Sequence, residues 1–137
     1  MSAERYGRTW EIRLPWSVPP ASANDRDHWR VKADKVRDIR LAAMLLVVGE
    51  FARDSDGPER TIAVPDRIAV GLTYVPRDKR RRDPDNLVVP LFKALCDGIV
   101  DAGIVPDDTP AYMVRSMPVI VCADGDPRLL LTIREIL

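Results

Sequence analysis

The chain has 137 residues, 46% of them hydrophobic, which suits one compact domain over residues 1–137 with a single core. Lys+Arg and Asp+Glu number 21 each, so net charge decides nothing about a nucleic-acid partner; the local arrangement of charge must. No stretch approaches the roughly 20 apolar residues of a membrane span, and MSAERYGRTW has no apolar signal core. The expectation is a soluble cytoplasmic protein with no membrane partner.

In chain order, residues 8–15 alternate around Trp10, Ile12 and Leu14 and predict a first strand closed by proline. WSVPPASANDRDHW follows as a loop rich in proline, serine and asparagine. From about residue 27 to 53, Trp29, Ala33, Val36, Ile39, Ala43, Leu46 and Phe51 recur at three-to-four spacing and predict a long helix. DSDGPERTIAVP then reads as a polar, mobile connection. Residues 67–76 alternate Ile68, Val70, Leu72 and Tyr74 as a second strand, which runs straight into RDKRRRDPDN.

Leu87, Leu91, Leu95 and Ile99 form the i+4 stripe of a second helix, ended at Gly103. Pro90 disfavours helical geometry at Val89, which predicts a late start or a kink. VPDDTP makes a turn, and residues 113–122 and 128–136 are predicted as two final strands around ADGDP. The order β-α-β-α-β-β predicts an α+β fold, a mixed sheet with two main helices packed on it. Cys96 and Cys122 show no metal-ligand spacing, lie in apolar runs and are both read as reduced core residues.

RRRDPDNL, residues 80–87, is the densest charged stretch, and it joins a strand to a helix. In an extended segment, residues two apart point the same way, so Asp83 and Asp85 would face one point with Pro84 restricting the backbone between them. Paired carboxylates need a cation to stay ionised. Mg²⁺ accepts a few carboxylates together with waters and phosphate oxygens. Asp107 and Asp108, in the turn after the second helix, are the candidates to complete that set. Taken alone, PDDTP is an ordinary turn whose aspartates accept local backbone hydrogen bonds. Arg77, Lys79, Arg80, Arg81 and Arg82 set five cations beside the acidic pocket, where a phosphodiester approaching carboxylates needs compensating charge. The two features together point to metal-assisted phosphodiester cleavage.

RRRDPDNL, an amphipathic helix and then AGIVPDD resemble the RusA family of Holliday junction resolvases. RTWEIRLPWSVPPASANDR is similar to that family's first strand and its proline- and asparagine-rich loop. The resemblance covers most of the chain, with insertions near residues 55–61 and within the second helix. It implies a small homodimeric endodeoxyribonuclease that uses Mg²⁺, with Mn²⁺ as a substitute ion, binds four-way junction DNA and nicks two opposing strands symmetrically. By motif position it implies Asp83, Asp85 and Asp108 as catalytic, metal-holding carboxylates with Asp107 beside them. It implies Asn24, Asn86 and the run Arg80, Arg81 and Arg82 as DNA contacts, and Lys79 and Arg26 extend that basic set. The family's catalytic lysine falls four residues after the second aspartate, where this chain has Val89. Lys93, one helical turn further along the same face, is assigned the electrostatic role.

Two other readings stay open: a branched-DNA-binding protein with weak or no cleavage, and a nuclease of the same fold acting on another nucleic acid. His28 reads as a surface or helix-end residue, and Asp97 and Asp101 as exposed helix charges. Trp10, Trp16 and Trp29 read as core or interface residues, with base stacking as the alternative for Trp16.

Overall fold

The alternating segments pair edge to edge in the computed structural model, which describes residues 4–53 and 64–137. The polar connection expected at residues 54–65 lies outside the described residues up to residue 63, as does the whole insertion near 55–61. Strand β1 (Tyr6–Arg13) pairs antiparallel with β5 (Arg128–Ile136), which pairs antiparallel with β2 (Ile68–Val75). On the far side of β2, β3 (Met113–Arg115) and β4 (Val119–Ile120) both run parallel to it. A parallel return requires a crossover, and helix α2 (Lys93–Asp101) lies within it, while α1 (Trp29–Arg53) lies between β1 and β2. This is the predicted α+β arrangement: two helices on a mixed sheet.

The strand expected over residues 113–122 is instead two short strands. Pro118 has no N–H to give a ladder. Arg115 to Val119 spans four steps where the partner stretch Val70 to Thr73 spans three, so one residue bulges out between β3 and β4. The Ser116 N–H still reaches the Val70 carbonyl at 3.2 Å, which keeps the broken edge on β2.

Period-two burial is clean in β2 (Ile68, Val70, Leu72, Tyr74) and β5 (Leu129, Leu131, Ile133), and Trp10 and Ile12 of β1 join them. The helical side of the core comes from Ile39, Ala43, Val47 and Phe51 of α1 and from Leu91, Leu95 and Ile99. The predicted second-helix stripe is thus buried throughout. The α1 stripe is buried only from Ile39 onward, where α2 and β1 meet it: Gly98 lies against Ala43, and Phe51 stacks on Trp10 at 4.1 Å. Trp29, expected in a core or interface, is 66% exposed, because α1 begins ahead of that contact zone. Trp16 is partly buried and packs against the core.

Cys96 is buried in α2, and burial pushes its thiol up to about 12, which makes it unreactive. Cys122, also expected inside, is exposed, because it follows the last sheet pairing of β4. Among the described residues, no helix is long and apolar enough to cross a membrane.

The two helices touch at a glycine. A Cβ on Gly98 would fall 2.5 Å from the Ala43 Cβ and 2.6 Å from the Arg40 carbonyl oxygen. Beside it Asp101, an exposed helix charge as expected, is paired with Arg40, whose hydrogen bond holds the carboxyl below the usual range. Gly98→Ala should therefore cost about 1–3 kcal/mol through overpacking. Gly49→Ala is the control: nothing lies within 4 Å of its added methyl, and relief of helix-interior glycine should stabilise by roughly 0.5–1 kcal/mol. Chemical denaturation of the two variants should shift in opposite directions. Equal shifts would mean that the helices do not meet at Gly98.

Candidate functional site

Past β2 the charged segment organises itself around Asp78. Its carboxylate accepts from the Arg80 N–H at 3.1 Å, from Arg80 Nε at 3.3 Å and from Arg82 Nη2 at 2.8 Å. Arg82 Nη1 donates to the carbonyls of Asp78 at 2.9 Å and Arg80 at 3.0 Å, and its guanidinium stands 5.8 Å from the Tyr74 ring centroid. Arg82 first, then Arg80, hold the Asp78 carboxyl down to about 2. Arg82 is thereby built into the loop, and Arg80 is tied beside it. Arg81 is exposed and makes no ion pair among the described residues. Lys79 and Arg77 border a separate shallow cleft with Cys122 and Asp124.

The segment Asp83-Pro84-Asp85 is not extended. Asp83 is (φ −100°, ψ 117°), but Pro84–Leu87 forms a 3₁₀ turn. The Asp83 carboxylate accepts the Asp85 N–H at 3.0 Å, and proline occupies the first turn, where its missing N–H costs nothing. The two-residue alternation that would aim both carboxylates at one point therefore does not apply: capping by Asp83 turns the chain instead. Asp83 borders a cleft of about 680 Å³, whereas Asp85 lies outside its lining. Val89 is extended (φ −127°, ψ 129°) ahead of a cis bond to Pro90, and regular α-helix begins only at Lys93, the late start that Pro90 predicted.

Lys93 meets the distal aspartate. Its Nζ donates to Asp108 at 2.7 Å and to Asp97 at 2.9 Å. These bonds, Asp108 first, raise the Lys93 pKa, so the group is a fixed ammonium rather than a base at neutral pH. The same Lys93 bond draws the Asp108 carboxyl below its ordinary value. Arg115 of β3 adds a second cation, 3.9 Å from Asp108. Asp107 accepts the Asp108 N–H at 2.7 Å, which is turn chemistry. Asp97 and Arg115 are the site residues that the sequence reading missed. The i,i+4 spacing of Lys93 and Asp97 held the signal for the first; Arg115 had none, because only the pairing of β3 on β2 brings it there.

Among the described residues, no three His, Cys, Asp or Glu side chains converge closely enough to hold a metal ion. The four predicted aspartates are thus divided between the capped turn and the Lys93 cluster. Their donor chemistry nonetheless fits a hard ion. Mg²⁺ keeps several waters and commonly takes only one or two carboxylates, with substrate phosphates supplying further oxygens.

A cleft of about 680 Å³ lies between the loop after β1 and the 3₁₀ turn. The Ala23 N–H donates to the Asn86 carbonyl at 3.1 Å and ties its two walls together. Asn24 and Asn86 both border it, as do Arg81 and Arg82. Arg26 is exposed further along the same loop and is not part of the lining. His28 is a helix-end residue, as expected: its Nδ1 accepts the Arg30 N–H at 3.2 Å where α1 begins. No protein-family model matches this chain, and no curated protein matches it. Fold and site define an α+β protein with an arginine-flanked cleft, part polar and part apolar, and a lysine–carboxylate cluster.

Proposed function

We propose that this chain is a metal-dependent nuclease, and more particularly a RusA-like endonuclease that nicks four-way DNA junctions as a homodimer. The observation that carries the reading is the Lys93–Asp108 contact. Val89 is extended, so Lys93 is not one helical turn along a shared face as expected. This lysine, four residues beyond the family's position, nonetheless lands on the distal aspartate, with Arg115 beside it. Lys93 and Arg115 supply fixed positive charge where a phosphodiester accumulates negative charge during cleavage. Arg81, Asn24 and Asn86 supply the backbone and base contacts that hold the strand. Asp83 and Asp85 on the capped turn would hold Mg²⁺ together with substrate phosphate oxygens, with Asp108 kept by Lys93. The ion when bound lowers the pKa of a water and stabilises the leaving oxygen. The two-fold symmetry of paired nicks calls for an isologous dimer. Sedimentation with junction DNA should show two protomers per junction, and a monomer would count against this part.

The deciding experiment is strand nicking of an end-labelled four-way junction with and without Mg²⁺. Paired nicks that require the ion are expected; equal cleavage of unbranched DNA or RNA would select a different substrate. Tight junction binding without nicking would select the binding-only protein.

Arg81 should dominate the electrostatics of binding, since Asp78 occupies Arg80 and Arg82. Arg81→Gln is expected to lower the slope of log K against log salt by about 0.9, the release of one phosphate counterion. Arg80→Gln should change it less. Identical slopes for wild type and Arg81→Gln would make Arg81 a solvated loop charge.

A further inference from the structure

We infer that the 680 Å³ cleft between the loop after β1 and the 3₁₀ turn receives a single unstacked nucleobase. The inference rests on the nucleic-acid reading above and adds to it the part of the substrate that enters the protein. The volume of the cleft falls within the range of small-molecule pockets. Its wall is apolar where Tyr74, Leu87 and Ile120 line it, and polar where Ser22, Asn24 and Asn86 do. A flat group with an apolar face and a polar edge matches that division. Side-chain amides carry both a donor and an acceptor, which is what reading a base edge requires.

A phosphate fits the interior poorly. Of the two lining arginines, Arg82 is committed to Asp78 and to two backbone carbonyls. The Asp83 carboxylate on the same lining repels an anion. Arg81, exposed at the edge, is the group left to take the phosphate of the entering nucleotide. The walls are held before any ligand arrives. The Ala23–Asn86 backbone bond joins them, and Asp25 accepts the Ser22 N–H at 3.0 Å within the loop. Taking a base out of a stack costs a few kcal/mol, least where pairing is already lost. A base pocket therefore favours branch points over continuous duplex.

Two measurements test this. The first places 2-aminopurine at each branch-point position of a four-way junction. Fluorescence should rise severalfold at one position on binding wild-type protein, and the rise should vanish with Ile120→Trp, which fills the cleft without changing charge. The second needs no junction: adenosine 5′-monophosphate and ribose 5-phosphate are titrated into ¹⁵N-labelled protein. The side-chain amides of Asn24 and Asn86 should shift with the nucleotide and not with the sugar phosphate, and Asn24→Ala should weaken nucleotide binding about tenfold. Equal shifts with both compounds would make the cleft an anion site and overturn the inference. So would junction nicking with no 2-aminopurine response and no nucleotide shift, which would leave the nuclease reading standing. Nucleotide shifts without any junction binding would support the pocket and sink the junction reading.

Discussion

Asp83→Asn is expected to slow Mg²⁺-dependent nicking of a four-way junction by at least about 10²-fold while leaving the fold intact. The two halves of that expectation have separate causes. Asp83 caps the 3₁₀ turn through one carboxylate oxygen, which accepts the Asp85 N–H at 3.0 Å. Asparagine caps as well as aspartate does, so the turn should survive. What asparagine lacks is the charge that would hold a divalent ion. Junction affinity should stay level or tighten, because one repulsion against phosphate disappears. Asp83→Ala separates the roles from the other side, losing charge and cap together and costing about 1 kcal/mol in stability as well. Asp85→Asn should reproduce the catalytic loss with no effect on capping. Nicking rates, thermal midpoints and junction affinities of the three variants provide the check. If Asp83→Asn nicks at the wild-type rate, Asp83 is a structural cap and nothing more.

Lys93→Ala should slow nicking by at least about tenfold, since removing one group that stabilises developing negative charge commonly costs 10²–10³ and Arg115 remains nearby. Exposed ion pairs contribute only about 0–1 kcal/mol, so loss of the bonds to Asp97 and Asp108 should barely move the thermal midpoint. A rate effect without a stability effect is therefore the signature sought. Val89→Lys in the same background offers a rescue. Val89 is 59% exposed and lines the same shallow cleft as Lys93 and Arg115, so an ammonium there enters the same neighbourhood. Recovery of part of the rate would show that charge at this place matters more than its point of attachment. Wild-type nicking by Lys93→Ala would instead move the role to Arg115 or to Arg81 and overturn the assignment.

Much of the fold was legible because burial leaves local periodicities. Ile68, Val70, Leu72 and Tyr74 alternate because every second side chain of a strand faces the core. Leu91, Leu95 and Ile99 recur at four because one helical face does. The late start of α2 was also legible, since the effect of Pro90 on Val89 acts between neighbours. The split of the third predicted strand lay in the sequence as Pro118 but needed the register on β2 to become a bulge.

The site was legible only as a set of residue types. RRRDPDN displays three arginines without saying which is free. Asp78 decides that by binding Arg80 and Arg82 and leaving Arg81 exposed. The alternation rule aimed Asp83 and Asp85 together, and a capping hydrogen bond turned the chain between them. Arg115 reaches Asp108, and Arg40 reaches Asp101, across separations that no local pattern encodes. Periodicity and proline act over a few bonds and can be read from order alone. Partners such as Lys93 and Asp108 are chosen by helix crossing and strand register, and those exist only once the sheet has closed against its helices.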